Sequence, residues 1–190
     1  MAEPEIADPK PVPSGGAAGS RTTWALGSLA VFLFALEALT GLGLLFHYRP
    51  SVEAAFHDVV DLREASGFGF GWKLHHWGSH ALVAVVLLHL LRVAGSGAYR
   101  PPRHRNWTAG VALLVLTLLL AATGAVLPWD AAAHAWLDLG LPASPGSGLP
   151  SPGGPILRRS FALHVGLLPA AALGLIVYHL RRARRDGGDG

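Results

Sequence analysis

The chain has 190 residues, 51% of them hydrophobic and only 14% charged, against about 25% charged in an ordinary soluble domain. The complete absence of cysteine excludes disulfides, iron–sulfur ligation and thioether-attached haem from this chain, so any redox group must be held by histidine and packing. The net charge of +3 is accounted for by membrane sidedness, set out below, and does not point to nucleic acid.

Residues 1–20, with Pro4, Pro9, Pro11, Pro13 and a Ser/Gly/Ala run, read as a disordered tail. They lack a basic stretch leading straight into a short apolar core, so they do not read as a cleaved signal. Four apolar stretches follow, at 22–46, 75–94, 107–127 and 161–180, each close to the ~20 residues a spanning helix needs. The pattern predicts an all-α, polytopic membrane four-helix bundle over residues 21–182, with 183–190 as a flexible tail. The connection 129–160 is rich in Pro and Gly and accommodates at most one short helix, at 130–139.

Charge fixes the expected topology. With four spans, one side carries Lys10, Arg21, Arg92, Arg100, Arg103, Arg105, Arg181, Arg182, Arg184 and Arg185. The other carries Arg49, Arg63, Lys73, Arg158 and Arg159. Ten against five places both termini in the cytoplasm, with a bacterial inner membrane as the expected location and the connections 48–73 and 129–160 outside.

Two histidine pairs lie on the second and fourth spans. His75 and His89 are 14 residues apart, His164 and His179 are 15 apart. At about 100° per residue the residual rotations are roughly −40° and +60°, so each pair shares one side of its helix. The members of a pair lie about 21–22 Å apart along the axis, most of the way across a hydrocarbon core of about 30 Å. Both spans run from outside to inside, which sets His75 level with His164 and His89 level with His179. Two stacked bis-histidine haems require this arrangement, and sites between facing helices are known in bundles. The neighbours His76 and His80 fall roughly 140° and 180° from His89 and cannot share its face. His47, His57, His104 and His134 lie at helix ends or in connections.

Glycines repeat with the same period. Gly27 and Gly41 on the first span, and Gly110 and Gly124 on the third, are each 14 apart. Glycine allows close approach, and these residues are expected to form the wall against a flat macrocycle. Glu37 lies near the middle of the first span, where an ionisable group is costly. Two readings of it stand: a proton or hydrogen-bonding role near the inner haem, with a possible quinone contact, or a protonated packing residue.

The chain resembles the cytochrome b family in its short, four-helix b6-like form. The resemblance runs from about Trp24 to Arg182. It is carried by Ala38-Leu-Thr-Gly41, Phe46-His-Tyr-Arg-Pro50, His75 through Arg92, Gly97-Ala-Tyr-Arg-Pro-Pro-Arg103, Trp107-Thr-Ala-Gly110, Gly124-Ala-Val-Leu-Pro-Trp129 and Arg159-Ser-Phe-Ala-Leu-His164. The 15-residue interval on the fourth span is similar to the b6 branch. The resemblance implies a diheme electron-transfer subunit of a quinol:acceptor oxidoreductase, incomplete as an enzyme alone. It implies a low-potential outer haem on His75 and His164 and a high-potential inner haem on His89 and His179, both non-covalent b-type. Arg92 matches a propionate contact, Pro128 and Trp129 match the edge of a quinol pocket, and Arg159 matches an arginine near it.

Implied partners are quinol or quinone, a companion subunit carrying the family's remaining helices with their Pro-Glu-Trp-Tyr-type motif, a Rieske iron–sulfur protein, a cytochrome c, and a second copy in a homodimer. Four features depart from the family pattern. The chain stops after the fourth span. Ala25 stands where cytochrome b6 has the cysteine for a further, covalent haem, so no c-type haem is expected. Trp72 replaces an arginine, with Lys73 as a substitute propionate partner. The connection 129–164 is shorter than in cytochrome b6, which keeps a second reading open: a diheme quinone-interacting anchor of another dehydrogenase or reductase, without a Rieske-type site.

Overall fold

The computed structural model describes residues 16–65, 67–97, 99–140 and 153–187. Seven α-helices make up the described chain: α1 (Gly16–Leu45), α2 (Ala55–Glu64), α3 (Phe68–Gly95), α4 (His104–Val126), α5 (Ala131–Gly140), α6 (Gly153–Ala162) and α7 (Leu168–Gly187). A π-helical turn, Leu163–Leu167, joins α6 to α7. Four segments are long and apolar enough to cross a membrane: Arg21–Leu45, Gly69–Gly95, His104–Val126 and Gly153–Arg185.

These correspond to the four spans read from the sequence, with earlier starts. Helix α1 begins at Gly16, ahead of the boundary expected at residue 21, and α7 runs to Gly187, past the one expected at 182. Most of the expected N-terminal tail lies outside the described residues. Among the described residues there is no strand.

α1 packs along α3, α4 along α7, and α3 against α4. Both histidine-bearing segments are therefore backed by a helix carrying the glycine repeat. Large apolar side chains such as Phe32, Leu39, Phe70, Leu91, Leu119 and Leu167 are exposed. In a soluble protein this would be a liability; on helices of membrane-spanning length it is the face toward lipid.

A small buried core sits at one end of the bundle. Ala55 of α2, Val126 at the end of α4, Trp129 and Leu157 of α6 form it, with Tyr48, Leu127, Leu137 and Ile156 around them. Tyr48 stacks on Phe161, ring centroids 5.6 Å apart, and its hydroxyl donates to the Leu127 carbonyl at 2.7 Å, satisfying an acceptor left free at the end of α4. Helix α2, in the connection 48–73, closes this cap through an ion pair. The Arg49 main-chain N–H donates to Asp58 Oδ2 at 2.8 Å and its Nε to the same oxygen at 3.1 Å. That hydrogen-bonded guanidinium holds the Asp58 carboxyl below the usual carboxylate range.

Candidate functional site

The bundle brings the histidines together in two pairs. His75 and His164 have ring centroids 6.1 Å apart, with planes 83° apart. His89 and His179 are 6.5 Å apart, with planes at 81°. Pairing across α3 and the α6–α7 segment at two levels is the arrangement read from the helical period and the parallel run of the two spans.

The π turn explains how a 15-residue interval keeps both histidines of the fourth segment in line. Leu168 donates its N–H to Leu163 O, a bond over five residues. One such turn absorbs one extra residue, so the effective rotation from His164 to His179 is that of 14 steps, the interval from His75 to His89. Pro169 supplies the cause. It has no N–H for the Val165 carbonyl, and its ring would crowd that carbonyl in a tight α turn.

Each glycine of the repeat faces one imidazole. A Cβ on Gly27 would lie 3.2 Å from His89 Cε1, on Gly41 3.1 Å from His75 Cε1, on Gly110 3.5 Å from His179 Cε1, and on Gly124 2.7 Å from His164 Cε1. The wall expected against a macrocycle is thus a wall against the histidine rings themselves. The side chain that each glycine omits makes room for a ligand residue of the neighbouring helix.

The same register supplies the partner of each Nδ1. The carbonyl four residues before a glycine points along the helix toward that glycine's N–H. His164 Nδ1 donates to Leu120 O at 3.0 Å, four residues before Gly124, with Thr123 Oγ1 at 3.4 Å. His89 Nδ1 faces the Thr23 carbonyl and His179 Nδ1 the Asn106 carbonyl, both buried and short of hydrogen-bond geometry. His75 follows the same register, facing the Glu37 carbonyl four residues before Gly41, and adds two side-chain acceptors: Thr40 Oγ1 at 3.0 Å and Glu37 Oε2 at 3.0 Å. With Nδ1 directed at the protein, Nε2 is the nitrogen left for a metal.

These residues fit a haem. A metal-bound imidazole nitrogen sits about 2 Å from the metal and about 1.1 Å from its ring centre, so two imidazoles on opposite sides of one ion hold their centroids about 6.2 Å apart; the observed distances bracket that value. Among the described residues no group of three or more His, Cys, Asp or Glu converges on one point. Two donors alone cannot complete a protein-only metal cage, but they do complete an iron whose equatorial positions a macrocycle fills.

The other expected site residues are distributed along the bundle. Lys73 and Arg92 lie on α3 and Arg159 on α6, all three with exposed side chains. Pro128 and Trp129 end α4. Trp129 has φ of 52°, is buried in the cap and meets His134 edge-on at 4.8 Å.

Glu37 departs from expectation. Of its two readings, a role near the inner pair with a quinone contact and a hydrogen-bonded packing residue, the first does not fit: its carboxyl engages His75 of the His75–His164 pair. Glu37 is four residues before Gly41 and ten after Gly27. At 1.5 Å per residue it is about 6 Å from the outer level and about 15 Å from the inner one, on the face of Gly41. Gly78, which sequence reasoning missed, admits it: a Cβ there would collide with Glu37 Oε1. A glycine inside an apolar span, three residues after a ligand candidate, was the available signal.

Known proteins share this framework. Residues 17–137 match the family model described as Cytochrome b/b6/petB. The chain is 36% identical over 179 residues to the cytochrome b6 of Heliobacterium modesticaldum, covering 86% of this chain and 83% of that protein. It is 34% identical over 182 residues to the menaquinol:cytochrome c reductase cytochrome b subunit of Geobacillus thermodenitrificans, covering 88% and 81%. A solved chain of a hyperthermophilic respiratory complex III has the same fold, with a TM-score of 0.74 at 24% identity; the match takes in 86% of this chain and 47% of that one. Histidine pairs, glycine register and these matches lead to one conclusion: the chain belongs to the cytochrome b/b6 family.

Proposed function

We propose that this chain is the diheme electron-transfer subunit of a quinol:acceptor oxidoreductase of the cytochrome bc/b6f kind. Family membership carries b-type haem binding and a place in the membrane as an integral protein. The proposal adds that the haems number two, that both are non-covalent, and that His75 with His164 ligates the outer one and His89 with His179 the inner one. The observation that carries it is the presence of two imidazole pairs, at two depths, each spaced for one six-coordinate iron.

A bound b-type haem supplies a reversible one-electron carrier. The chain's residues do the rest. Gly27, Gly41, Gly110 and Gly124 let the imidazoles lie flush against α1 and α4. Hydrogen bonds at Nδ1 fix the tautomer and orientation of His75 and His164. Arg92, Lys73 and Arg159 are cations suited to propionate groups at the two ends of the bundle. Lipid-facing helices keep water from the space between the levels. No side chain in this set is asked to transfer a proton.

The relatives named as cytochrome b6 and as menaquinol:cytochrome c reductase subunits support a quinol or quinone as the small-molecule partner. The second of these names supports a cytochrome c as a redox partner; the reading adds a companion subunit with further helices, a Rieske protein and a second copy of this chain. Both termini are assigned to the cytoplasm on the charge asymmetry.

Purified protein assayed as its pyridine haemochrome should contain two b haems per chain. His89→Leu should lose one of the two, the inner, and keep the other. Fewer than two haems in the wild type, or two retained in His89→Leu, would overturn the assignment.

A further inference from the structure

The four candidate ligands are not equivalent. All four direct Nδ1 toward the main-chain carbonyl four residues before a glycine: His164 at Leu120, with a bond of 3.0 Å, His89 at Thr23, His179 at Asn106 and His75 at Glu37. His75 alone among them meets a carboxyl group, Glu37 Oε2 at 3.0 Å. Thr40 completes the contact. Its hydroxyl donates to Leu36 O at 2.8 Å, which leaves its lone pairs toward His75 Nδ1 at 3.0 Å.

Glu37 is held for this contact by two helices. It projects from α1 into α3 at Gly78, where the missing Cβ leaves the space its Oε1 occupies. That oxygen is buried and has no hydrogen-bond partner among the described residues. A carboxyl inside a membrane span is costly, and a half-satisfied one more so. Among the described residues the polar contact that offsets this is with the imidazole.

We propose that Glu37 is a positioning residue for His75, holding its Nδ1–H so that the ring is locked in one orientation and made a stronger electron donor than the other three imidazoles. This rests on the diheme reading. A hydrogen-bonded carboxyl partner raises the basicity of a ligating imidazole, and a more basic axial ligand favours the more positive, oxidised iron. Glu37 thereby lowers the potential of the outer site relative to the inner one, and sets the downhill direction of transfer across the membrane.

The test is a redox titration of the full-length, haem-loaded protein, followed in the visible α-band and by low-temperature EPR of the oxidised form. Three variants enter it: Glu37→Leu, Glu37→Gln and Gly78→Ala, the last displacing the carboxyl without touching it. In Glu37→Leu the outer haem's reduced-to-oxidised ratio at fixed ambient potential should rise about tenfold, which is about 59 mV for one electron. Its low-spin EPR signal should also shift. Gly78→Ala should move both readouts the same way, and Glu37→Gln, which keeps an acceptor oxygen, should recover at least half of the change. The inner haem should stay fixed throughout.

An unmoved outer midpoint and EPR signal in both Glu37→Leu and Gly78→Ala would sink the assignment, as would equal movement of both haems. If Glu37→Leu loses the outer haem, the other two variants decide on the same criteria. A wild type with fewer than two b haems would overturn the diheme reading itself, whereas two haems and no shift would overturn only the role given to Glu37.

Discussion

A single methyl group separates the glycines of this chain from alanine, and the geometry says where that methyl matters. At Gly124 it would come within 2.7 Å of His164 Cε1, closer than real Cβ contacts allow, and 3.1 Å from Nδ1. The ring cannot swing away without losing its bond to Leu120. At Gly110 the methyl would sit 3.5 Å from His179 Cε1, an ordinary contact. Gly124→Ala should therefore cost about 1–3 kcal/mol of strain and release the outer haem, halving the haemochrome yield, while Gly110→Ala keeps both haems. Equal yields from the two variants would show that the glycines are not matched to their histidines.

At the scale of elements, the fourth segment is the instructive one. Its π turn holds one residue more than an α turn, and the histidines on either side stay aligned because of it. Deleting Gly166, inside the turn, together with Pro169→Ala should convert it to regular α-helix and leave both haems bound. Deleting Leu173, in the regular helix between Pro169 and His179, should swing His179 by about 100° and empty the inner site. Haem content of the two deletion variants, measured side by side, checks this; retention of both haems in each would refute it.

Much of this level was legible in the residue string. The 14-residue periods of histidine and glycine follow from 3.6 residues per turn, and they gave the pairing and the choice of His75 over His76. The 15-residue interval was visible too, but its remedy was not, because a bulge is a backbone response to Pro169 and to packing rather than a pattern of side chains. The level of Glu37 follows from its offset of four residues from Gly41 and not from its place near the middle of the span. Helix α2 buries Ala55, Asp58, Val59 and Leu62, spaced i, i+3, i+4 and i+7 as a helix requires, but one of the four is a carboxylate, so the stripe does not stand out as apolar.

For the molecule as a whole, the cap ties the ends of α1, α4 and α6 together, and Asp58 is its buried charge, 6% exposed. Its carboxyl is held below the ordinary value of 3.8, first by the hydrogen bond from Arg49. A group with a depressed folded-state pKa contributes stability that is complete above its unfolded value and is lost as pH falls through the folded one. Thermal unfolding in detergent should thus be insensitive to Asp58 between pH 5 and 7, as estimated from ordinary carboxylate titration, and should weaken as pH drops below about 4. Asp58→Asn should lower Tm at neutral pH and flatten that acid limb; an unchanged acid limb would assign it to other carboxyls.

The pairing of helices has a consequence for how the two halves hold together. α1 with α3, and α4 with the fourth segment, are two hairpins, each offering glycines on its first helix and histidines on its second at the same two heights. Every candidate iron site takes one imidazole from each hairpin. Neither hairpin can ligate an iron on both sides by itself, so a bound haem would bridge the two halves, adding a link at each level to the α3–α4 packing and to the cap that already join them.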